Sequence, residues 1–335
     1  MPDAELSGWL RLALVPGLGG QGLRKLLGDF GLPSRVLAAG RAALARSVGD
    51  ALAERILADD SAAAVDAALR WVEAPDRSIV TLADAAYPQQ LLEISDPPAL
   101  LYVLGDAALL ARRGLAIVGS RNATPQGTTN AERFARAFSD AGLTIASGLA
   151  LGIDAAAHRG ALGGAGSTVA VLGCGVDVVY PQRNADLYQA VAARGALVSE
   201  FPLGSPPLAA NFPRRNRLIS GLARGVLVVE AALAPGEQGR DVFAIPGSIH
   251  SPLSKGCHKL IREGAKLVET AQDVLEELGL APPGLQSEGR APMSDSAVLK
   301  ALGGDPADVD TLVARTGLPA AEVAAELTNL EIAGD

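Results

Sequence analysis

Short apolar runs alternate with helix-like stretches from Leu115 onwards, and this alternation limits the fold more than any other feature of the chain. The apolar runs predict strands at 115–118, 143–146, 168–172, 196–200, 226–230, 242–245 and 266–268. Helices are predicted between them at 127–141, 153–163, 185–194 and 254–263. Strands that alternate with helices form a parallel sheet with helices on both faces. The sequence therefore predicts an α/β, doubly wound domain over residues 112–275.

Turns that contain glycine follow four of the predicted strands, at 119–121, 147–152, 173–175 and 246–248. In doubly wound folds, ligands bind outside the carboxyl ends of the strands. A glycine turn that leads into a helix directs backbone N–H groups at an anion. Each turn is therefore a candidate anion-binding loop, and Arg121 adds a fixed positive charge to the first.

Residues 205–221 carry the densest cluster of cations in the chain. Within six positions they hold Phe212, Arg214, Arg215, Asn216 and Arg217. The stretch before the cluster is rich in proline, which predicts a loop at the mouth of a folded domain. Guanidinium groups neutralise phosphates and a ring stacks on an unpaired base, so the segment suits single-stranded nucleic acid. A solvated basic turn is the alternative that this segment alone leaves open.

The charge of the chain is unevenly distributed. The net charge is −8, which is not typical of a general nucleic-acid-binding protein. Between Arg112 and Lys266, however, 17 Lys and Arg stand against 10 Asp and Glu, so this part carries +7 and the remainder −15. A basic middle between acidic flanks indicates that one domain holds an anionic ligand while the flanks serve another purpose.

The N-terminal flank, residues 1–75, predicts a helical domain with helices at 6–14, 23–30, 42–47 and 51–71. Gly17, Gly19 and Gly22 match the dinucleotide-binding glycine pattern only formally, because no strand precedes them. A helix-hairpin-helix is the better interpretation. Such a hairpin either offers backbone N–H groups to a DNA phosphate or serves packing alone.

The other flanking regions are predicted from composition. Residues 76–111 read as a connector with a short strand at 101–104, and residues 276–292 as a linker. Residues 293–335 predict three short helices, near 295–302, 308–316 and 319–333, with a helix-turn-helix pattern. The last helix contains no Lys or Arg, so a contact with protein is favoured over a contact with DNA. It ends where a winged helix would begin its hairpin, which predicts a truncated module.

Composition also disfavours several classes of protein. No apolar run reaches the ~20 residues that span a bilayer, and the first residues lack the basic region of a signal peptide. Two cysteines and three histidines form no metal-binding pattern, so we expect a cytoplasmic chain without metal or cofactor. Asp154 and His158 lie four residues apart on one helix face. Acid–base chemistry is one interpretation of this pair, and a helix cap beside a hydrogen-bonded histidine is the favoured one.

Taken together, the motifs resemble the DNA-processing protein A family (DprA/Smf). The resemblance covers about residues 95–270 and rests on segments 118–121, 147–154, 157–158, 173–175, 180–181, 211–221, 229–231, 246–248, 254–256 and 260–264. It implies an extended Rossmann-like fold, an N-terminal SAM-like helical domain and a small C-terminal winged-helix-like module. It also implies a homodimer that is not an enzyme, binds single-stranded DNA in natural transformation and loads the RecA recombinase.

Matched motif by motif, the resemblance assigns DNA contact to nine residues of this chain. They are Gly119, Ser120, Arg121, Phe212, Arg214, Arg215, Asn216, Arg217 and Lys255. One departure concerns the segment after the strand at 226–230. Family members continue there into a Ser/Thr-rich helix start, whereas this chain runs into Pro235-Gly236 and reaches the next strand after about 11 residues. Two parallel strands need a crossover of a dozen or more residues, so we expect either a gap after Ala234 or an unusually tight link.

Two other functions are consistent with the same fold. A nucleotide-binding hydrolase, similar to nucleoside phosphoribohydrolases, would need a carboxylate beside a phosphate-binding loop, and Glu230 and Asp154 are the candidates. The chain lacks the Pro-Gly-Gly-x-Gly-Thr loop typical of such hydrolases and keeps only a fragment of it at 246–248. The other possibility is a scaffold that recruits a recombinase without binding DNA itself.

Overall fold

One sheet of nine strands organises the chain, for which the computed structural model describes residues 3–58, 60–231, 240–280, 296–302 and 307–333. The strands are β1 Arg77–Thr81, β2 Leu100–Gly105, β3 Gly114–Gly119, β4 Thr144–Ser147, β5 Thr168–Val171, β6 Ala196–Ser199, β7 Gly225–Val229, β8 Asp241–Ala244 and β9 Lys266–Leu267. Their spatial order is β1-β2-β6-β5-β4-β3-β7-β8-β9. β2 pairs antiparallel with β1 and β6, and the other neighbours are parallel. The predicted mostly parallel sheet is confirmed.

The direction in which strands are added reverses at β3. β4, β5 and β6 are added in turn on one side of β3, and β7 then pairs on its other side. Since the carboxyl ends of parallel strands meet at one edge, such a reversal opens a crevice between the loops that follow them. The turns after β3, β4 and β5 therefore lie next to one another at this edge.

Helices cover both faces of the sheet. The helices after β3 are α7 Pro125–Asp140, α8 Ile153–Leu162, α9 Ala185–Arg194, α10 Asn211–Gly221, α11 Lys255–Arg262 and α12 Ala271–Glu277. Leu115 and Ile117 of β3 share a core with Phe138 of α7, whereas the intervening Ala116 shares a core with Leu218 of α10. Successive strand residues point to opposite faces, so β3 is buried on both. Apolar runs buried in this way are the pattern that identified the strands in the sequence.

Six helices precede the sheet in the described residues 3–58 and 60–71, where the sequence predicted four. They are α1 Asp3–Leu14, α2 Gly19–Phe30, α3 Pro33–Leu37, α4 Arg41–Val48, α5 Asp50–Leu57 and α6 Ala62–Trp71. The single helix expected at 51–71 is in fact the two helices α5 and α6. The ring of Trp71 meets Tyr102 of β2 edge to face, with centroids 6.1 Å apart, so the last helix packs on the antiparallel end of the sheet.

The structure corrects two assignments of irregular structure. Residues 76–111 are not only a connector, because β1 and β2 join the sheet through eleven residues that pair with each other or with β6. Residues 211–221 are not a loop but the helix α10. Pro213 stands third in this helix, where the backbone N–H would have no partner within the helix in any case. The proline that suggested irregular structure is therefore compatible with a helix start.

The expected irregularity after Ala234 lies outside the described residues. On either side of it, β7 and β8 are parallel neighbours in the register Val226↔Val242 and Val228↔Ala244. Further along, the described residues of the C-terminal module form the helices α13 Ala297–Leu302, α14 Val309–Thr316 and α15 Ala320–Ala333. Val298, Leu312 and Val323 make its small core.

Candidate nucleic-acid interface

The turn after β3 is built by Gly119 and Ser120. A Cβ atom on Gly119 would overlap the carbonyl oxygen of Val229 on β7, so only glycine permits this pairing of the two strands. The Ser120 hydroxyl accepts a hydrogen bond from the N–H of Asn122 at 3.1 Å, and the Ser120 carbonyl accepts one from the N–H of Ile153 at 3.1 Å. These two residues shape the loop, and Arg121 projects from it into solvent.

The helix that follows this turn does not offer an open anion site. Thr124 caps α7, and its backbone N–H donates to a carboxylate oxygen of Glu230 at 2.9 Å while its hydroxyl donates to the other. Gly127, in the first turn, leaves the space in which that carboxylate lies. The N-terminus of a helix attracts negative charge, and here the chain supplies its own. The predicted anion-binding loop at this position is therefore occupied internally.

An aromatic and cationic cluster lies beside that loop. The ring of Phe212, from α10, lies 5.6 Å from the ring of Tyr180 with an interplanar angle of 39°. The guanidinium carbon of Arg121 lies 5.6 Å from the centroid of the Phe212 ring, in a cation–π contact. Gly173, after β5, leaves room for the Phe212 ring. The predicted residues Arg121 and Phe212 thus come together, and Tyr180, which is 41% exposed, joins them as a residue that motif matching left out of the site.

The four consecutive polar residues 214–217 of α10 face different directions. Successive residues of a helix are rotated by about 100° from one another, so adjacent arginines face different sides. Arg214 and Asn216 are exposed, whereas Arg215 is buried and Arg217 is largely covered. If residues 211–221 formed the predicted loop, all four side chains would be free to reach a ligand. As a helix, α10 presents two of them outward.

Arg215 donates hydrogen bonds to backbone carbonyls at the ends of β4 and β5. Its guanidinium donates to the carbonyl of Gly148 at 2.7 Å and to the carbonyl of Val171, and the residue is 3% exposed. Burial lowers the pKa of Arg215, although the nearby Asp154 carboxylate opposes that shift. The predicted DNA contact by Arg215 has no support in this geometry, because both donated bonds hold the turns after β4 and β5 in place.

Arg217 belongs to an ion-pair network with two carboxylates. It donates to Glu200 and to the backbone carbonyl of Asp96, the latter at 2.5 Å, and its side chain is 11% exposed. Burial raises the pKa of Glu200, and the charges of Arg217 and Arg214 oppose the rise. Arg214 reaches the same carboxylate at 3.2 Å, yet half of its side chain stays in solvent. Arg214 can therefore contact a ligand, whereas Arg217 orients Glu200 and α10.

Lys255 lines a cavity that does not include Arg121, Phe212 or Arg214. It is the exposed first residue of α11 and lines a cavity of about 700 Å³ with Pro246, His258 and Arg262. The N–H of Gly256, the next residue, donates to the carbonyl of Ala231 at 2.7 Å, which places this helix start beyond the end of β7. The described structure records no contact between Lys255 and Arg121, Phe212 or Arg214, so its share in the interface stays a prediction.

Asp154 and His158 are buried in hydrogen bonds within the protein. A carboxylate oxygen of Asp154 accepts from the N–H groups of Gly148 and Ala150 at 3.1 and 3.4 Å, and burial raises the pKa of Asp154. The helix cap itself is Gly152, so the expectation that Asp154 caps α8 was wrong. His158 accepts from the N–H of Leu149 at 3.2 Å, and burial lowers its pKa to about 3. The favoured interpretation of His158 as a hydrogen-bonded neighbour agrees with these contacts.

Two family descriptions match consecutive parts of the chain. One, described as DNA recombination-mediator protein A, matches residues 78–279, and the other, the DprA winged helix domain, matches residues 286–335. The first covers the sheet except for Arg77, the first residue of β1, and it covers every residue of the candidate interface. The chain belongs to the DNA recombination-mediator protein A family, DprA/Smf. The winged-helix match also agrees with the module predicted at the C-terminus.

Relatives of known sequence or structure support this membership. Protein Smf of Escherichia coli is 39% identical over 356 residues, which cover 100% of this chain and 93% of the relative. The X-ray structure of DprA from Streptococcus pneumoniae superposes with a TM-score of 0.70 at 39% identity, over 83% of this chain and 98% of that one. A Helicobacter pylori DprA structure that concerns a single-stranded DNA binding mode superposes with a TM-score of 0.54 at 29% identity, over 60% of this chain and 95% of that one.

Two other features of this DprA/Smf chain bear on DNA contact. In the N-terminal hairpin, Gly17 and Gly19 have positive φ, as a tight turn requires. A Cβ atom on Gly20 would lie 2.6 Å from a carboxylate oxygen of Asp96 and 2.8 Å from the carbonyl of Pro97. The start of α2 is therefore packed against the 95–98 segment, which favours the packing role over a phosphate contact.

The described residues add two negative findings. No helix among them is long and apolar enough to cross a membrane. In the same part of the chain, no group of three or more His, Cys, Asp or Glu side chains is arranged to hold a metal ion.

Proposed function

We propose that this DprA/Smf chain binds single-stranded DNA at the edge formed by the turns after β3, β4 and β5, and that it acts in DNA processing. The observation that carries the proposal is the cluster of Arg121, Phe212 and Tyr180 at that edge. Family membership and the Helicobacter pylori relative, whose structure concerns single-stranded DNA binding, support it.

The chemistry of the cluster favours a single strand over a duplex. Tyr180 and Phe212 present partly exposed rings, and rings stack on bases only where the bases are unpaired. Arg121, over the Phe212 ring, and Arg214, two residues after Phe212 on α10, supply exposed positive charge, which neutralises backbone phosphates. Asn216, exposed on the same helix, adds an amide that hydrogen bonds to a base edge or a sugar.

The finer roles belong to the same proposal. We infer that the chain acts in natural transformation, forms a homodimer and loads the RecA recombinase onto the DNA that it holds. These roles rest on membership of the family and not on any contact described above. A scaffold that recruits a recombinase without touching DNA would not need exposed rings beside arginines, so we favour direct binding.

Binding is also favoured over hydrolysis. The two carboxylates that a nucleotide hydrolase would use are both engaged within the protein. Glu230 accepts two hydrogen bonds from Thr124, and Asp154 accepts from the amides of Gly148 and Ala150. A general base needs a carboxylate that is free to accept a proton from a water or a substrate, and both of these already accept hydrogen bonds from within the protein.

A salt titration tests the proposal directly. Fluorescence anisotropy would follow a labelled oligothymidine of about 20 nucleotides, a matching duplex and ATP, at several salt concentrations between about 50 and 200 mM. Three exposed cations, Arg121, Arg214 and Lys255, predict a slope of log affinity against log salt of about −2, at ~0.7 per phosphate. Preference for the duplex, preference for ATP, or a slope near zero would each refute the proposal.

A further inference from the structure

A second cluster of arginines lies outside the candidate interface, in a groove between α8 and α9. The groove has a volume of about 350 Å³. Its cationic residues are Arg159, Arg183 and Arg194, and its apolar floor consists of Leu162, Leu187 and Ala190. We call it the α8–α9 groove. One carboxylate, that of Asp186, also lines it, which leaves two positive charges in excess.

The three arginines of the groove are exposed. Some exposed arginines of this chain are paired, for example Arg41 with Glu54 and Arg136 with Asp140, each at 2.6 Å. Within the described residues, no such pair involves a guanidinium group of the groove. Three unpaired guanidinium groups around an apolar floor form a site for an anionic chain with apolar faces, since charges and bases are then both accommodated.

The groove begins where the candidate interface ends. Arg183 follows Tyr180 by three residues, and the intervening backbone is short. Asn184, which is buried, donates to the carbonyls of Leu149 and Ala150 at 2.9 and 3.2 Å, so the start of α9 is fastened to the turn after β4. The same turn accepts a hydrogen bond from Arg215 of α10 at the carbonyl of Gly148. The two surfaces are thus parts of one rigid edge of the molecule.

We propose that the α8–α9 groove extends the DNA-binding surface, so that a single strand leaving Tyr180 and Phe212 passes along α9 with its phosphates on Arg183, Arg159 and Arg194. Arg183 lies two residues before α9 and Arg194 is its last residue, so the two are separated by roughly 16 Å at ~1.5 Å per residue. At ~3.4 Å per stacked nucleotide, this is the length of about five nucleotides, and fewer if the strand is extended. The inference rests on the proposed function, because it assumes single-stranded DNA at the cluster of Arg121, Phe212 and Tyr180.

Oligonucleotides of two lengths separate the groove from the first cluster. The variant is Arg159→Gln with Arg194→Gln, and the matched control is Arg46→Gln with Arg70→Gln, two exposed arginines of the N-terminal helices. Affinity and salt slope would be measured with oligothymidines of about 5 and about 20 nucleotides, lengths that bracket the site sizes of single-strand-binding domains. The groove variant should bind the long strand about five- to tenfold more weakly than the control, as expected for two exposed ionic contacts. Its salt slope should be smaller by about 1.4, while the short strand binds unchanged.

The outcomes that overturn the inference are distinct from those that overturn the proposed function. If the native chain binds neither oligonucleotide, both fail together. If the native chain binds and the groove variant matches the control with the long strand, the groove carries no DNA and the proposed function stands. Equal weakening with both lengths also overturns the inference, because the arginines then act on the first cluster. A second variant, Asp186→Asn, guards against loss of folding as the explanation, since removing the one carboxylate should tighten long-strand binding about twofold, and no change would count against the groove.

Discussion

Replacing Arg215 should show whether this arginine stabilises the folded protein or binds DNA. Arg215→Met removes two hydrogen bonds to the carbonyls of Gly148 and Val171, and leaves both acceptors buried. A buried polar group that loses its partner costs ~1–3 kcal/mol, so the two together cost ~2–6 kcal/mol. Removing one member of a buried charge pair costs ~3–5 kcal/mol by an independent route, and Asp154 is the charge left behind. We therefore expect a loss of about 4 kcal/mol in the free energy of unfolding.

Thermal unfolding followed by circular dichroism measures this loss. For a domain of this size, ~4 kcal/mol corresponds to a fall in Tm of about 8–16 °C. Arg214→Met is the matched control, because it shortens the neighbouring arginine, whose half-exposed side chain makes an ion pair worth ~0–1 kcal/mol. If Arg215→Met melts with the native protein and loses DNA affinity instead, Arg215 is a DNA contact and our assignment is wrong.

The same variant should respond to pH through Asp154. Burial raises the pKa of Asp154 in the folded protein, and the charge of Arg215 opposes that rise. An acid whose folded pKa lies above its unfolded value destabilises the fold once pH exceeds the unfolded value, since the folded carboxyl then resists ionisation. Without Arg215 the pKa of Asp154 rises further. The stability difference between native protein and variant should therefore grow from acidic to neutral pH, and a difference that is constant or larger at acidic pH would contradict the link to Asp154.

Three further substitutions follow from the structure. Arg121→Ala should weaken single-stranded DNA binding without lowering Tm, because Arg121 is exposed, and a large fall in Tm would show that the residue is structural. Phe212→Ala should cost ~1–3 kcal/mol of binding in the anisotropy assay, and an unchanged affinity would assign the ring to packing against Tyr180 and Gly173. Gly119→Ala should cost at least ~1–3 kcal/mol of stability in urea unfolding, because the new methyl group meets the Val229 carbonyl. Gly28→Ala, in open space on α2, is its control and should stabilise by ~1 kcal/mol, so equal effects of the two would refute the packing argument.

The strands of the sheet were predictable because their burial leaves a mark on the sequence. Leu115, Ala116 and Ile117 are apolar without alternation, as a strand covered on both faces must be. The glycine turns at their ends were equally visible. β1 was not predicted because Arg77–Thr81 contains polar as well as apolar residues and is only partly buried, so it gives no continuous apolar run. This pattern is typical of an edge strand.

The state of each site residue was harder to predict, because it depends on partners far away in the sequence. Thr124 and Glu230 are 106 residues apart, and no local pattern shows that the carboxylate closes the start of α7. Arg215 reaches Gly148 across 67 residues, and Arg217 reaches Asp96 across 121. Motif matching placed Arg121 and Phe212 in one predicted interface, and the structure brings these two side chains together. It could not separate cations that face the solvent from cations that hold the strand ends.

The number of cations that are exposed determines how steeply DNA binding should depend on salt. Counting all the arginines and the lysine of the matched motifs gives five cations, whereas the structure leaves only Arg121, Arg214 and Lys255 exposed. With ~0.7 per phosphate, three exposed cations predict a salt slope of about −2 and five predict about −3.5. A steeper measured slope that becomes smaller by about 1.4 in Arg159→Gln with Arg194→Gln would assign the extra contacts to the α8–α9 groove. A steep slope that this variant leaves unchanged would mean that Arg215 or Arg217 exchanges its internal partner for a phosphate when the strand binds.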